Sequence, residues 1–143
     1  MNTKIQTVHT PELSTKHRHC LFEAGVPAGF PSPAADYEEH QLDLNKYLIK
    51  HPAATFFVRA AGYSMIGAGI DSGDLLVVDR SLEPRDKSVV IAVVNGELTV
   101  KRIRIRKKKI TLEPENESYP VQQITEDTDF QVWGVVTYVI HGL

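Results

Sequence analysis

After Pro52 the chain consists mainly of short apolar runs separated by clusters of turn-forming residues. Runs of this length, rich in valine, isoleucine and phenylalanine, are typical of β-strands. The predicted strands cover residues 55–60, 75–79, 88–94, 97–105, 110–114 and 131–140. Because no helical patterns alternate with them, they favour an all-β barrel or curled sheet over a parallel α/β fold.

Asn95-Gly96 gives the strongest turn signal in the chain, since it separates two apolar runs. An Asn-Gly pair suits the tight turn of a two-residue β-hairpin, in which both central residues have positive φ. It therefore predicts a hairpin that joins residues 89–94 to residues 98–100.

The chain before Pro52 has a different pattern. Residues 1–28 contain scattered apolar positions with no period of two or of 3.6, which predicts a flexible, mostly irregular N-terminal arm. Residues 29–33 read Gly-Phe-Pro-Ser-Pro, and the two prolines predict a stiff, extended connector. Further on, Asp43 is expected to cap a short helix that runs through Leu48. We therefore expect two parts, an arm of residues 1–28 and a β-rich domain of residues 29–143.

Composition limits the classes of function. The chain has 143 residues and a formal net charge of −2, so bulk charge gives no reason to expect direct nucleic-acid binding. Its single cysteine, Cys20, excludes an intramolecular disulfide and fits a reducing cytoplasm. The N-terminus lacks the apolar core of a secretory signal, and the longest apolar run, residues 89–94, is too short to span a bilayer. We expect a cytoplasmic protein without a membrane anchor.

Ser64 is the candidate nucleophile. It follows the predicted strand 55–60, within Gly62-Tyr63-Ser64-Met65, and precedes a bend that contains Gly67 and Gly69. A serine at a strand end, on a turn eased by glycine, can present its hydroxyl to a substrate. Because a serine hydroxyl is a weak nucleophile, it needs an adjacent base.

Lys101 is the candidate base, at the end of Leu98-Thr99-Val100-Lys101. Alternation along a strand places Lys101 on the side of Ile103 and Ile105, whereas the arginines at 102, 104 and 106 point to the other side, towards solvent. Burial lowers the pKa of a lysine, as a general base requires. The alternative, which alternation alone favours, is that Lys101 merely begins a basic edge strand.

Other chemistries have weaker support in the sequence. The basic run 101–109 lacks interleaved aromatic residues, and we interpret it as a solvated hairpin. The cluster of His17, His19 and Cys20 has no standard zinc spacing, and the aspartates at 71, 74 and 79 match no known ligand pattern. Six histidines make a Ser–His–Asp triad formally possible, but none has a strand-end context like that of Ser64. We therefore expect neither metal nor cofactor.

Several ordered motifs resemble the LexA/UmuD family of self-cleaving Ser–Lys peptidases. The resemblance extends from about residue 29 to about residue 140. It consists of a cleavage-site segment (29–37), a nucleophile motif (62–65), the following strand (70–79), a lysine motif (97–102) and the last strand (133–136).

This resemblance implies a mainly β, LexA/UmuD-like fold and a homodimer. It assigns the nucleophile to Ser64, the general base to Lys101 and the scissile bond to Ala28-Gly29, so that cutting removes the N-terminal arm. A second Ala-Gly pair, Ala24-Gly25, lies upstream, and the Phe-Pro-Ser-Pro context favours the later pair. The implied activity is self-cleavage after DNA damage, stimulated by a RecA filament on single-stranded DNA. The truncated product would join a UmuC-like polymerase in mutagenic translesion synthesis.

Two other functions are compatible with the sequence. The chain would act as a non-enzymatic, dimeric polymerase-binding module if Ser64 were idle. It would be part of a LexA-like repressor if it bound a specific DNA site. A signal peptidase with the same type of dyad is disfavoured because no membrane anchor is evident.

Overall fold

A computed structural model describes residues 3–14, 18–22 and 39–143, and of residues 18–22 and 39–40 it describes the backbone alone. The chain divides into two compact units, one made of Met1–Pro11 and His51–Leu143 and the other of Glu12–Lys50. No helix in these described ranges is long and apolar enough to cross a membrane.

The larger unit is built on one eight-stranded antiparallel sheet. Its strands are β1 (Lys4–His9), β4 (Thr55–Ala61), β5 (Leu75–Asp79), β6 (Val89–Val94), β7 (Glu97–Arg106), β8 (Lys109–Glu113), β9 (Gln122–Ile124) and β10 (Phe130–Ile140). Their order across the sheet is β1-β4-β5-β10-β6-β7-β8-β9, so β1 and β9 are the edge strands. The mainly β fold predicted from the sequence is confirmed.

The smaller unit holds a two-stranded antiparallel sheet and one short helix. The strands are β2 (Arg18–Phe22) and β3 (Glu39–Asp43), and the helix α1 spans Leu44–Leu48. The Asp43 carboxylate accepts a hydrogen bond of 3.0 Å from the Asn45 N–H, so the predicted cap and helix end are confirmed. None of the helix residues is buried.

The six predicted strands all occur, with ends that differ by no more than one residue from the predicted ones. Four strands were not predicted, namely β1, β2, β3 and β9. Two of them, β1 and β2, lie within residues 1–28, where the sequence predicted no strand. The residues of β1 show no apolar alternation and most of their side chains are exposed, so the strand depends on backbone pairing with β4.

Curling of the sheet positions the candidate site. Strands β4 and β7 are four places apart in the strand order, which would separate them by about 19 Å in a flat sheet. The twist natural to β-sheets brings β1, the neighbour of β4, into contact with β7. A residue just after β4 can therefore meet a residue of β7.

Two clusters of buried side chains stabilise the sheet. The first joins β4, β5, β6 and β7 with the turn after β4, and its members are Phe56, Val58, Ala60, Met65, Ile70, Leu76, Val78, Ile91 and Val100. The second joins β6, β7 and β8 through Val90, Ala92, Val94, Ile103 and Leu112. Val100 and Ile103 belong to different clusters, so β7 is packed on both of its faces.

The turn at Asn95-Gly96 joins β6 to β7 as predicted. Asn95 has φ 49° and Gly96 φ 83°, which is the pair of positive values that a type I′ turn requires. The β7–β8 hairpin uses the same conformation at Lys107 and Lys108, with φ 49° and 65°.

Candidate active site

A tight turn after β4 presents the Ser64 side chain. Gly62, with φ 99°, reverses the chain at the end of the strand, and its N–H donates a hydrogen bond of 3.1 Å to Ser72 Oγ. A 3₁₀ turn at Ile66–Ala68 follows and ends at Gly69, which has φ 79°. Met65, fully buried in the first core cluster, anchors the turn next to Ser64.

The loop after β8 holds this turn through backbone and side-chain hydrogen bonds. The Glu115 N–H donates to the Ser64 carbonyl at 2.8 Å, and the Gly67 N–H donates to the Glu115 carbonyl at 2.7 Å. Asn116 Nδ2 also donates to the Tyr63 carbonyl at 2.9 Å. A Cβ atom at Gly67 would lie 2.6 Å from the Glu115 carbonyl oxygen, so this position requires glycine.

Lys101 lies on β7, between β6 and β8 in the sheet. The interpretation of Lys101 as the start of a basic edge strand is therefore wrong. The residue is 5% exposed, and Val100 and Ile103 nearby on the strand are buried in the two core clusters. The burial that alternation indicated for Lys101, on the side of Ile103 and Ile105, is confirmed, but alternation could not show that β7 lies inside the sheet.

The Lys101 amine has three polar neighbours. Its Nζ atom lies 3.1 Å from Ser64 Oγ, 3.0 Å from Thr99 Oγ1 and 3.1 Å from the Val100 carbonyl oxygen. A neutral amine has two N–H groups and one lone pair. If the two N–H groups donate to Thr99 and Val100, the lone pair faces Ser64 and can accept its hydroxyl proton.

Burial also changes the protonation of this amine. Removal from water lowers the pKa of Lys101 to about 8, because the ammonium form loses more hydration than the neutral form. At pH 7 roughly a tenth of the molecules then carry a neutral Lys101 amine. A lysine with an ordinary pKa would be almost wholly protonated at that pH.

The arginines that follow Lys101 are less solvated than the alternation predicted. Arg102 forms an ion pair with Glu115, and Arg104 pairs with Asp86 at 3.0 Å and with Glu113 at 3.4 Å. The Arg102 pair connects the strand that carries Lys101 to the loop that holds the Ser64 turn. Sequence reasoning missed Glu115 and Asn116 because they lie some fifty residues from Ser64.

The N-terminal segment also reaches the site. The Thr3 N–H donates a hydrogen bond of 2.7 Å to Ser64 Oγ, and both residues have no exposed surface. Thr3 immediately precedes β1, whose Lys4 pairs with Ala61 at the end of β4. The sequence offered no signal for this contact, since residues 1–28 have no periodicity.

The other candidate groups form local structural contacts. His51 Nδ1 lies 2.6 Å from Asp79 Oδ2, and neither hydrogen bond recorded for Ser64 Oγ among the described residues involves a histidine. Asp71, Asp74 and His141 offer ligand atoms within 4.8 Å of one another. The buried Asp74 carboxylate already accepts hydrogen bonds from the Asp71 N–H and from His141. The hydrogen bond to Asp74 raises the pKa of His141.

The predicted scissile residues Ala28 and Gly29, the upstream Ala24-Gly25 pair and the side chains of His17, His19 and Cys20 lie outside the described part of the structure. The structure therefore brings together Ser64 and Lys101, and to this pair it adds Thr99, Glu115, Asn116 and Thr3.

Comparison with known proteins identifies relatives along nearly the whole chain. Residues 21–137 match the family model described as Peptidase S24-like. The SamA protein of Salmonella typhimurium is 54% identical over 121 residues, covering 85% of this chain and 84% of that relative. The ImpA protein of Escherichia coli is 51% identical over 141 residues, covering 99% of this chain and 96% of that relative. The MucA protein of Escherichia coli is 40% identical over 136 residues, covering 94% and 92%.

Proposed function

This chain belongs to the Peptidase S24-like family, with UmuD-like relatives, and we propose that it is a serine endopeptidase that cuts its own Ala28-Gly29 bond. The observation that carries the proposal is the 3.1 Å separation of Ser64 Oγ and Lys101 Nζ in a buried setting. The lowered pKa of Lys101 supports its role as the general base.

The first step is attack on the scissile bond. The neutral Lys101 amine takes the proton of the Ser64 hydroxyl, and Oγ forms a bond with the Ala28 carbonyl carbon. The carbonyl π electrons move onto oxygen, which gives a tetrahedral oxyanion. Backbone N–H groups of the Ser64 turn would stabilise this oxyanion, and the contacts to Glu115 and Asn116 would keep the turn rigid.

Collapse of the intermediate breaks the C–N bond. The Lys101 ammonium donates its proton to the Gly29 nitrogen, and the fragment beginning at Gly29 leaves with a free amine. The arm remains as an ester of Ser64 until water, deprotonated by Lys101, hydrolyses it. A small residue and a glycine on either side of the bond allow close backbone approach to the nucleophile.

The substrate is tethered to the enzyme, so the reaction avoids the entropy cost of bringing two molecules together. Its rate is then limited by how often the segment around Ala28-Gly29 reaches Ser64. A RecA filament on single-stranded DNA would accelerate cutting by favouring the docked state, which is a population shift.

The cellular role that we propose is the one that the resemblance to the LexA/UmuD family implies. The chain would act in the response to DNA damage as a homodimer, and its truncated form would join a UmuC-like polymerase in mutagenic translesion synthesis. The match of the chain to nearly the full length of its SamA, ImpA and MucA relatives supports this role over that of a repressor fragment.

The decisive experiment is incubation of the purified chain at high pH, where Lys101 is neutral, followed by mass spectrometry. We expect a new fragment that begins at Gly29 in the wild type and none in Ser64→Ala or Lys101→Ala. Cutting that persists in either variant would refute the dyad, and a fragment beginning at Gly25 would move the site upstream.

The same experiment addresses the alternatives. A polymerase-binding module with an idle Ser64 would stay intact at every pH, whereas its dimer would still be detectable by light scattering. A LexA-like repressor would additionally retard a specific DNA fragment in a gel shift, which we do not expect from this chain.

A further inference from the structure

We propose that the N-terminal strand β1, with Thr3 at its leading end, blocks the peptide groove of the uncut chain and must leave before the cleavage segment can enter. This inference rests on the proposed self-cleavage, and the block would regulate that reaction. The block is a contact between the chain's own residues 3–9 and the groove that runs between β4 and β7.

The first argument is the hydrogen bond to the nucleophile. Ser64 Oγ accepts a hydrogen bond of 2.7 Å from the Thr3 N–H and one of 3.1 Å from Lys101 Nζ. Both lone pairs of the hydroxyl oxygen are thus engaged by N–H groups, and neither is free to attack a carbonyl carbon. Because β1 presents the Thr3 N–H and not a carbonyl carbon to Ser64 Oγ, β1 itself is not cut while it is bound there.

The second argument is steric. Ser64 and Thr3 have no exposed surface, and Lys101 is 5% exposed. A cleft of about 610 Å³ runs along β1 and β7, and both Thr3 and Lys101 line it, whereas Ser64 does not. Neighbouring strands need about 4.8 Å, so a second peptide cannot reach Oγ while Thr3 occupies this place.

The third argument is that β1 is weakly held. It is an edge strand, and within it only the Ile5 side chain is partly buried, against the first core cluster. Its pairing with β4 shifts register between Ile5 and Thr7. The buried Thr3 Oγ1 has no hydrogen-bond partner among the described residues, which weakens docking by the cost of desolvating a hydroxyl. These features suit a strand that detaches without unfolding the sheet.

A reversible disulfide tests the block. Lys4 and Ala61 are directly paired across β1 and β4, and paired antiparallel residues have a Cα spacing that accepts a disulfide. The variant for this test combines Lys4→Cys and Ala61→Cys with Cys20→Ser, which removes the native thiol. We expect the oxidised protein to self-cleave at high pH at least about tenfold more slowly than the same protein after reduction.

The single variants Lys4→Cys and Ala61→Cys, oxidised in parallel, are the controls and should cut at the rate of the Cys20→Ser parent. If protein shown by mass spectrometry to be fully crosslinked cuts as fast as its reduced form, the block is wrong. If neither the parent nor the reduced protein cuts, the proposed protease activity is wrong, and a second measurement that needs no cleavage decides the block.

That second measurement is alkylation of the thiol in a Ser64→Cys, Cys20→Ser chain by iodoacetamide. Adding Ile5→Thr removes the apolar contact of β1 and should accelerate labelling by roughly threefold to tenfold, because β1 is detached more often. Val8→Thr makes a similar change at a side chain of the same strand that is 48% exposed, and should leave the rate nearly unchanged. Equal labelling rates in the Ile5→Thr and Val8→Thr proteins would overturn the proposal.

Discussion

Thr99 lies two residues before Lys101 on β7, and its Oγ1 atom accepts a hydrogen bond of 3.0 Å from Lys101 Nζ. In the neutral amine, with the Val100 carbonyl as the second acceptor, this bond would leave the lone pair for the Ser64 hydroxyl, whose Oγ lies 3.1 Å from Nζ. We therefore propose Thr99 as a positioning residue, which would act on the proposed reaction through Lys101.

We expect Thr99→Val to slow self-cleavage by roughly fivefold to twentyfold at saturating pH, because one anchor of the amine is lost while the shape of the side chain is kept. Thr99→Ser retains the hydroxyl and should cut at nearly the wild-type rate. The measurement is the plateau of the pH–rate profile, and a plateau unchanged in Thr99→Val would show that the bond does not position the amine.

The pH–rate profile itself is the second prediction. Only the neutral amine of Lys101 can accept the Ser64 proton, and its pKa is lowered by burial to about 8. The rate should therefore rise about tenfold per pH unit below that value and level off above it. Lys101→Arg, whose side chain stays charged throughout this range, should show no such rise. A wild-type rate that falls with increasing pH would exclude Lys101 as the base.

The residues proposed to react could be predicted from the sequence, whereas most of the contacts that position them could not. Ser64 and Lys101 could be selected because a strand-end serine and a strand lysine are local signals, and Asn95-Gly96 fixed the hairpin that places Lys101 on β7. Thr99 was also visible as the residue two positions before Lys101, on the same side of the strand. The role proposed for Thr99 depends on the hydrogen bond that it accepts from Lys101 Nζ, and this contact has no signal in the sequence.

The strand β1 could not be predicted, since its residues lack apolar alternation and its stability comes from pairing with β4, some fifty residues away. The contacts to the Ser64 turn from the Glu115 backbone and the Asn116 side chain are likewise long-range hydrogen bonds, which form only because the fold brings this loop next to the turn. The edge-strand alternative for Lys101 could not be excluded from the sequence for the same reason, because the position of β7 inside the sheet follows from the strand order.

The close approach at Gly67 gives the third prediction. In Gly67→Ala the new Cβ would lie 2.6 Å from the Glu115 carbonyl oxygen, so the backbone that holds the Ser64 turn must shift. We expect a loss of about 1–3 kcal/mol in the free energy of unfolding, together with slower self-cleavage. Urea unfolding in a Ser64→Ala background separates stability from processing. Gly142→Ala adds a Cβ in open space and is the matched control.

The turn before β6 gives the fourth prediction. Lys87 has φ 75°, a conformation that favours glycine, and its side chain is exposed. Its backbone N–H donates to the Ile103 carbonyl at 2.8 Å, a bond that glycine would keep. We expect Lys87→Gly to stabilise the fold by about 0.5–1 kcal/mol in urea unfolding, as relief of strain outweighs the added entropy of the unfolded chain. Arg85→Gly, at an exposed neighbour without positive φ, should destabilise it instead.

The unpartnered hydroxyl of Thr3 gives the last prediction, in which stability and activity change in opposite directions. Thr3→Val keeps the branched shape of the side chain and removes a buried oxygen that has no partner within the described ranges. Docking of β1 should become more favourable by about 1 kcal/mol, which would slow self-cleavage by roughly fivefold and raise the free energy of unfolding by a similar amount. Thr10→Val, at an exposed position beyond β1, should change neither quantity. Faster cutting in Thr3→Val would mean that Thr3 assists the reaction, because a strand that blocks the groove must slow the reaction when it binds more tightly.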